Sequence, residues 1–185
     1  MILCVTGQMA AGKNYVCSKI MEQNHDFVSI DMDKTVHEAI NLCQEQIFSA
    51  FRNEAEKAGI SLKNPDGSLN RRNLGKLIFP EPELLKRQES IVYPKTVELT
   101  EKFINENRAE GKSVILNATV LYKIPELVEL CEKIVFVKAN FFKRLFRARK
   151  RDKMPLFQIL NRFKAQKNLL SMYKSTGKEI VIIRN

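Results

Sequence analysis

The chain has few of the residues that build metal centres and covalent frameworks. Among 185 residues there are two histidines, His25 and His37, and four cysteines, Cys4, Cys17, Cys43 and Cys131. Two histidines leave little from which to make a zinc site. The cysteines are widely spaced, each in an apolar pattern, so buried free thiols are expected rather than disulfides. No apolar run approaches the ~20 residues of a membrane helix, so no membrane partner is expected. The apolar stretch Ile2 to Val5 is short and lacks a basic flank, which argues against a signal peptide and for a cytoplasmic protein. There is no internal repeat and no low-complexity segment. Negative charge is also scarce: 21 acidic residues face 31 lysines and arginines, a net charge of +10. That excess points to an anionic partner, whether nucleotide, phosphorylated metabolite or nucleic acid. The hydrophobic share, 44%, suits one globular domain with a real core, with room for a small inserted lobe.

The start of the chain is the most informative stretch. Ile2 to Val5 is cut by Gly7; Gly12 and Lys13 follow, and a helical pattern begins at Asn14. The spacing is that of G-x-x-x-x-G-K, with Asn14 where Ser or Thr usually stands. A buried strand, a small-residue loop and a helix N-terminus make a site for a polyphosphate. Loop amides point inward, the helix dipole favours negative charge, and Lys13 reaches the outer phosphates.

The rest of the chain alternates strand and helix signals. Strands are expected near residues 2–6, 27–31, 113–117, 133–138 and 179–183, in β-branched, non-alternating runs that suit burial on both faces. The alternation implies an α/β fold with a parallel sheet. The second strand delivers Asp31 and Asp33 to its C-terminal end, where open parallel sheets bind ligands, so Asp33 is expected near Lys13. Between residues 34 and 58, Val36, Ile40, Cys43, Ile47 and Phe51 recur at helical spacing, which predicts one helix. Asn64-Pro-Asp-Gly67 predicts a turn, and Asn70 an N-cap. Helices are expected over 83–92 and 95–108, separated by Pro94. The basic run Lys143 to Lys153 and an amphipathic helix from Pro155 to about Met172 form a helix pair suited to a lid.

These segments, in this order, resemble the dephospho-coenzyme A kinases. Thr6-Gly-Gln-Met-Ala-Ala-Gly-Lys13 is similar to the family's P-loop, and Ile30-Asp-Met-Asp33 to its I-D-x-D element. Leu69 to Phe79 resembles its L-x-R-x-x-L-x-x-x-I-F block, and Ile91-Val-Tyr-Pro94 its I-x-H-P. Arg151-Asp152 with Ile159 to Gln166 resembles its R-D…R-I-x-x-Q lid, and Val181 to Asn185 its last strand and asparagine. The resemblance implies a P-loop NTPase fold, a three-layer α/β/α with a five-stranded parallel sheet, a helical substrate lobe at about 60–94 and a basic lid at about 141–172. It implies phosphoryl transfer from ATP to the ribose 3′-hydroxyl of dephospho-coenzyme A, with Mg²⁺. Gly7, Ala10, Ala11, Gly12, Lys13, Asn14, Tyr15 and Asn185 would hold ATP. Asp33 would act as base and Asp31 support it. Lys13, Arg149 and Arg151 would stabilise the transferring phosphoryl, with Arg147 a third basic residue able to contact phosphate. Arg71 and Tyr93 would meet the acceptor alongside Asp31 and Asp33. A monomer or small homo-oligomer acting on a small molecule, without nucleic acid, follows.

The chain also departs from that pattern. Asn14 replaces a hydroxyl that binds Mg²⁺, although an amide oxygen is still a hard neutral ligand. Ala10 and Ala11 stand where smaller or hydroxylated loop residues are usual, and their methyl groups suit only a backbone without positive φ. Tyr93 replaces a histidine. Asn117-Ala-Thr-Val-Leu-Tyr-Lys123 stands where the family has P-L-L-F-E, the loop that touches the acceptor there. The sequence ends at Asn185, before the family's usual final helix. Two other readings fit the same motifs: a nucleoside, nucleotide or other small-metabolite kinase, and a nucleotide- or nucleic-acid-binding protein that has lost catalysis with Asn14.

Overall fold

A computed structural model describes residues 1–185. Five strands form one parallel sheet: β1 (Ile2–Gly7), β2 (Phe27–Asp31), β3 (Ser113–Asn117), β4 (Lys133–Lys138) and β5 (Ile180–Arg184), in the order β2-β3-β1-β4-β5. Helix α1 (Lys13–Gln23) follows β1, and α2 (Met32–Leu42) and α3 (Gln44–Lys57) follow β2. Next come α4 (Arg71–Ile78) and the long α5 (Pro82–Ala109), then β3. A 3₁₀ turn at Leu121–Lys123 and α6 (Pro125–Leu130) lead to β4. Helices α7 (Phe141–Asp152), α8 (Leu156–Ala165) and α9 (Leu169–Lys174) lead to β5.

The chain divides into two compact units, residues 1–33 with 102–185, and residues 34–101. In the first, the sheet is the core. All six residues of β1 are buried, as the apolar run predicts for a strand flanked on both sides. Val5, Ile115 and Val137 are fully buried and pack with Val16 and Cys17 of α1. Each such aliphatic side chain contributes about 1.5–3 kcal/mol on transfer from water. β1 lies between β3 and β4, so the strand order reverses at its C-terminal end, and the loop to α1 opens at that switch point. The second unit is helical, with a core of Ile47, Phe51, Leu74, Ile78 and Val92 from α3, α4 and α5. Asn70 caps α4 by accepting from Asn73 N at 3.0 Å, as its sequence position predicts.

Three expected boundaries differ. The helix over 34–58 is divided at Cys43 into α2 and α3. Hydrogen bonds still run Cys43 N to Ala39 O at 2.9 Å and Ile47 N to Cys43 O at 3.0 Å, so the chain bends without opening. Pro94 does not separate two helices but lies within α5. A proline inside a helix costs about 3 kcal/mol, and here it stands between positions whose burial offsets it, Val92 and Thr96 at 0% exposed. The helix expected over 155–172 is two, α8 and α9. After Ala165 the bonds tighten to three-residue spacing, Lys167 N to Lys164 O at 3.1 Å and Leu169 N to Gln166 O at 3.2 Å.

All four cysteines are free and buried. Burial pushes the Cys17 thiol up to about 11 and that of Cys131 to about 12, so neither is a nucleophile near neutrality. No helix is long and apolar enough to cross a membrane.

Candidate active site

The loop between β1 and α1 is shaped by collisions as much as by torsions. A Cβ on Gly7 would strike the Val137 carbonyl. Gly12 caps α1 at φ 99°, and a Cβ there would strike the Asn185 amide. Asn185 is held on both sides: its N donates to Lys138 O at 2.8 Å, and its Nδ2 to Ala11 O at 3.0 Å. With glycine as the cap and no side-chain cap bond, the first amides of α1 stay open for an anion at the positive end of the helix. Lys13 Nζ lies 3.4 Å from Gly7 O. Burial lowers the Lys13 ammonium below the usual lysine value, Arg151 adds to that, and Asp33 opposes it.

One expectation for the loop fails. Ala10 has φ 60°, so its methyl sits where positive φ is required. The left-handed region costs a non-glycine residue about 1–2 kcal/mol. Ala10 packs against the cluster of Met9, Ala148, Ile159 and Phe163, which holds the loop there.

Lys13 and Asn14 line two cavities. The larger, about 550 Å³, is bounded by Ala10, Gly12, Arg147, Lys150 and Arg151. The smaller, about 300 Å³, is bounded by Asp31, Asp33, Asn117, Thr119, Arg151, Arg162 and Gln166. So Lys13, Asp31 and Asp33 share one cavity, as expected, and Asp31 Oδ1 accepts from Asp33 N at 3.1 Å to start α2. Asn14 Oδ1 accepts from Asn117 Nδ2 at 2.9 Å, while Asn117 Oδ1 is buried without a partner. The donors here are carboxylates and amide oxygens, a hard set that suits Mg²⁺. The residues fit the ion.

Helix α7 joins the loop through a buried arginine. Arg144, 6% exposed, donates from Nε to Met9 O at 3.0 Å and from Nη1 to Gln8 Oε1 at 2.7 Å. Its guanidinium lies 4.0 Å over the Phe163 ring of α8. Gln166 completes the joint: its carbonyl accepts from Gln8 Nε2 at 2.9 Å and its Oε1 from Met9 N. Helical phase carries Arg147 and Arg151 on from Arg144 along one face. Arg147 reaches Ala11 O at 3.4 Å, and Arg151 lines both cavities. Arg149, on the opposite face, is exposed and lines neither. Arg151 also forks onto Asp152 at 2.6 and 3.0 Å, which holds that carboxyl below its usual range.

Tyr15 is 57% exposed and lines neither cavity. Arg71 and Tyr93 belong to the second unit, where with His37 and Gln88 they line a cavity of about 300 Å³ walled by Val36, Ile78 and Val92. Sequence reasoning gave no role to Asn117, Arg144, Arg162 or Tyr173. Tyr173 is fully buried, accepts from Leu121 N at 2.9 Å and lies 3.2 Å from Thr119 O, so it pins the segment that departs most from the kinase pattern. Burial pushes its phenol up, which keeps it protonated and able to donate to that carbonyl. Asn117 carried a signal as the first residue of that divergent segment, and Arg162 as the arginine of the stretch that resembles the R-I-x-x-Q element.

A family model described as dephospho-CoA kinase matches residues 1–181. The chain is 32% identical over its whole length to the dephospho-CoA kinase of Treponema denticola, covering 82% of that protein. To that of Treponema pallidum it is 30% identical, again over the whole chain and 86% of the relative. Among solved structures, a Thermus thermophilus protein superposes with TM-score 0.79 at 23% identity, and the Campylobacter jejuni dephospho-CoA kinase with 0.69 at 21%. Both comparisons cover all of this chain and 88% of the other. At these identities the structures establish the fold.

Proposed function

The chain belongs to the dephospho-CoA kinase family and phosphorylates the ribose 3′-hydroxyl of dephospho-coenzyme A from ATP, the last step of coenzyme A synthesis; we propose that Asp33, Lys13 and Arg151 carry the transfer. The observation that supports this most is their meeting at one cavity with the loop that binds polyphosphate.

The roles follow from what the transfer needs. The open amides of α1 and Lys13 hold the β- and γ-phosphates in line. The acceptor oxygen attacks the γ-phosphorus, its bond to the β-phosphate oxygen breaks, and ADP leaves. The hydroxyl proton goes to the Asp33 carboxylate, and Asp31 fixes the start of the helix that carries Asp33. Arg151 offsets the charge that builds on the transferring oxygens. Asn14, with Asp31 and Asp33 nearby, would hold Mg²⁺, which would supply further charge neutralisation of the phosphates. Gly7, Ala10, Ala11, Gly12 and Asn185 shape the ATP side. Arg71 and Tyr93, at their own cavity, are the acceptor residues of the second unit. A cytoplasmic setting is supported by four reduced, buried thiols.

Asp33→Asn tests this reading. In a coupled ADP-release assay kcat falls by about 10²–10⁴ while ADP affinity by calorimetry stays within about twofold. An Asp33→Asn enzyme of near-normal kcat removes Asp33 as the base.

A further inference from the structure

Position 14 departs from the P-loop pattern, and the fold joins it to Asn117, the residue that opens the divergent loop. Asn117 is the last residue of β3, held by register opposite Val5 of β1 and Asp31 of β2. It is 8% exposed, and its Oδ1 is buried with no partner. Such an orphan acceptor costs about 1–3 kcal/mol. The three residues before it, Val114, Ile115 and Leu116, are fully buried and apolar, so packing alone would favour an aliphatic side chain here. What Asn117 does make is one bond, from Nδ2 to Asn14 Oδ1 at 2.9 Å.

Asn14 needs that bond in a way serine or threonine would not. A hydroxyl donates and accepts from one atom, so any orientation presents oxygen. A carboxamide has a broad, nearly two-fold terminal torsion and presents either oxygen or nitrogen. Asn14 is exposed at the cavity, with nothing in its own helix to settle which. In this structure Asn117 is the donor of the pair, so the Asn14 oxygen turns toward the sheet edge that carries Asp31, and its second lone pair stays open.

We infer that Asn117 is a positioning residue for the cation. By donating to Asn14 Oδ1 it keeps the amide oxygen, rather than the nitrogen, available as a divalent-cation ligand. The inference rests on the reading of Asn14 as that ligand. It ties the amide at 14 to an amide donor at 117.

The test is Mn²⁺ binding to the full chain at saturating ADP, followed by the electron paramagnetic resonance signal of free Mn²⁺. Asn117→Leu weakens Mn²⁺ about tenfold, the lower end for loss of a partner behind a metal ligand. Metal-free ADP affinity is unchanged, and Tm holds or rises because the orphan acceptor is gone. Asn117→Ala, measured alongside, carries the same prediction without the leucine's added bulk. In an Asn14→Ser background, Asn117→Leu changes Mn²⁺ affinity less than about twofold, because serine needs no orienting partner. Equal losses in both backgrounds, or no loss in the native one, overturn the inference. Asn14→Ala separates the two levels. Unchanged Mn²⁺ affinity in that variant removes Asn14 as the ligand and the inference with it. A loss there with none in Asn117→Leu removes only the role of Asn117.

Discussion

The phosphate loop and helix α7 both set positive potential around the larger cavity, by opposite means. The loop uses main chain: amides at the start of α1, left open because the cap is a glycine. Helix α7 uses long side chains on a rigid rod, and the phase of the rod decides where each one goes. In the loop, single positions are fixed by torsion and by neighbours, as at Gly12 beneath Asn185. In α7, Arg144 is spent as a buried anchor, Arg147 and Arg151 line the cavity, and Arg149 faces solvent. A main-chain site needs few residues and tolerates little change; a side-chain site spreads its contribution and hides it among like residues.

The strongest way to break this comparison is Gly12→Ala. The methyl meets both a φ of 99° and the Asn185 amide. Strain of about 1–3 kcal/mol plus displacement of Asn185 predicts ADP binding weaker by about 100-fold or more in calorimetry. Adding Asn185→Gly relieves the collision and not the torsion, so it recovers part of the loss. Native ADP affinity in Gly12→Ala would mean that the loop is not set by its backbone.

The second test divides the arginines of α7. Arg151→Met lowers kcat/KM by about 10–100-fold, whereas Arg149→Met, equal in charge change, costs less than about twofold. Equal effects would show that net charge, not helical phase, decides which residue counts.

The same contrast explains what the sequence discloses. Gly7, Gly12 and Lys13 form a local pattern, and their loop is where the spacing puts it. β-branched runs locate all five strands, but burial on both faces holds only for the central β1, β3 and β4: β2 and β5 are sheet edges, β2 half-buried and β5 with Val181 and Ile182 exposed. Asp31 and Asp33 follow from the end of β2. Tertiary packing decides the rest. Pro94 reads as a break yet is carried inside α5, and Cys43 reads as mid-helix yet bends it. Arg144 looks like any residue of a basic run until Phe163 and the Gln8 side chain surround it. Asn117 and Tyr173 act on residues far along the chain, and no spacing announces such pairs.

Lys13 joins the two regions, since burial and Arg151 of α7 both lower it while Asp33 opposes them. Its folded pKa lies below its unfolded one, so between the two the unfolded chain holds more protons and stability rises with pH. Nucleotide binding runs the other way. Phosphate favours the ammonium, so ADP affinity of the nucleotide-free protein declines with rising pH before the ordinary lysine value is reached. Calorimetric titrations of ADP from neutral pH upward show a few-fold decline across that window. Lys13→Arg, which stays charged, flattens the profile even where its affinity is lower. A flat native profile would mean that Lys13 is not depressed by its surroundings.

The smallest effect has the opposite sign to Gly12→Ala and lies two residues away. Ala10 stands at φ 60°, where a glycine has no steric cost. Ala10→Gly removes about 1–2 kcal/mol of strain and gives back part of it through a freer unfolded chain and a lost methyl contact with the Met9 cluster. The balance is a gain of roughly 0.5 kcal/mol, which for a domain of this size raises Tm by about 1–2 °C in calorimetry. ADP affinity should hold, because no amide moves. A fall in Tm would show that the methyl's packing outweighs the torsion. The loop would then be held open by its neighbours in the manner of α7, and the line between main-chain and side-chain sites would run through the loop itself.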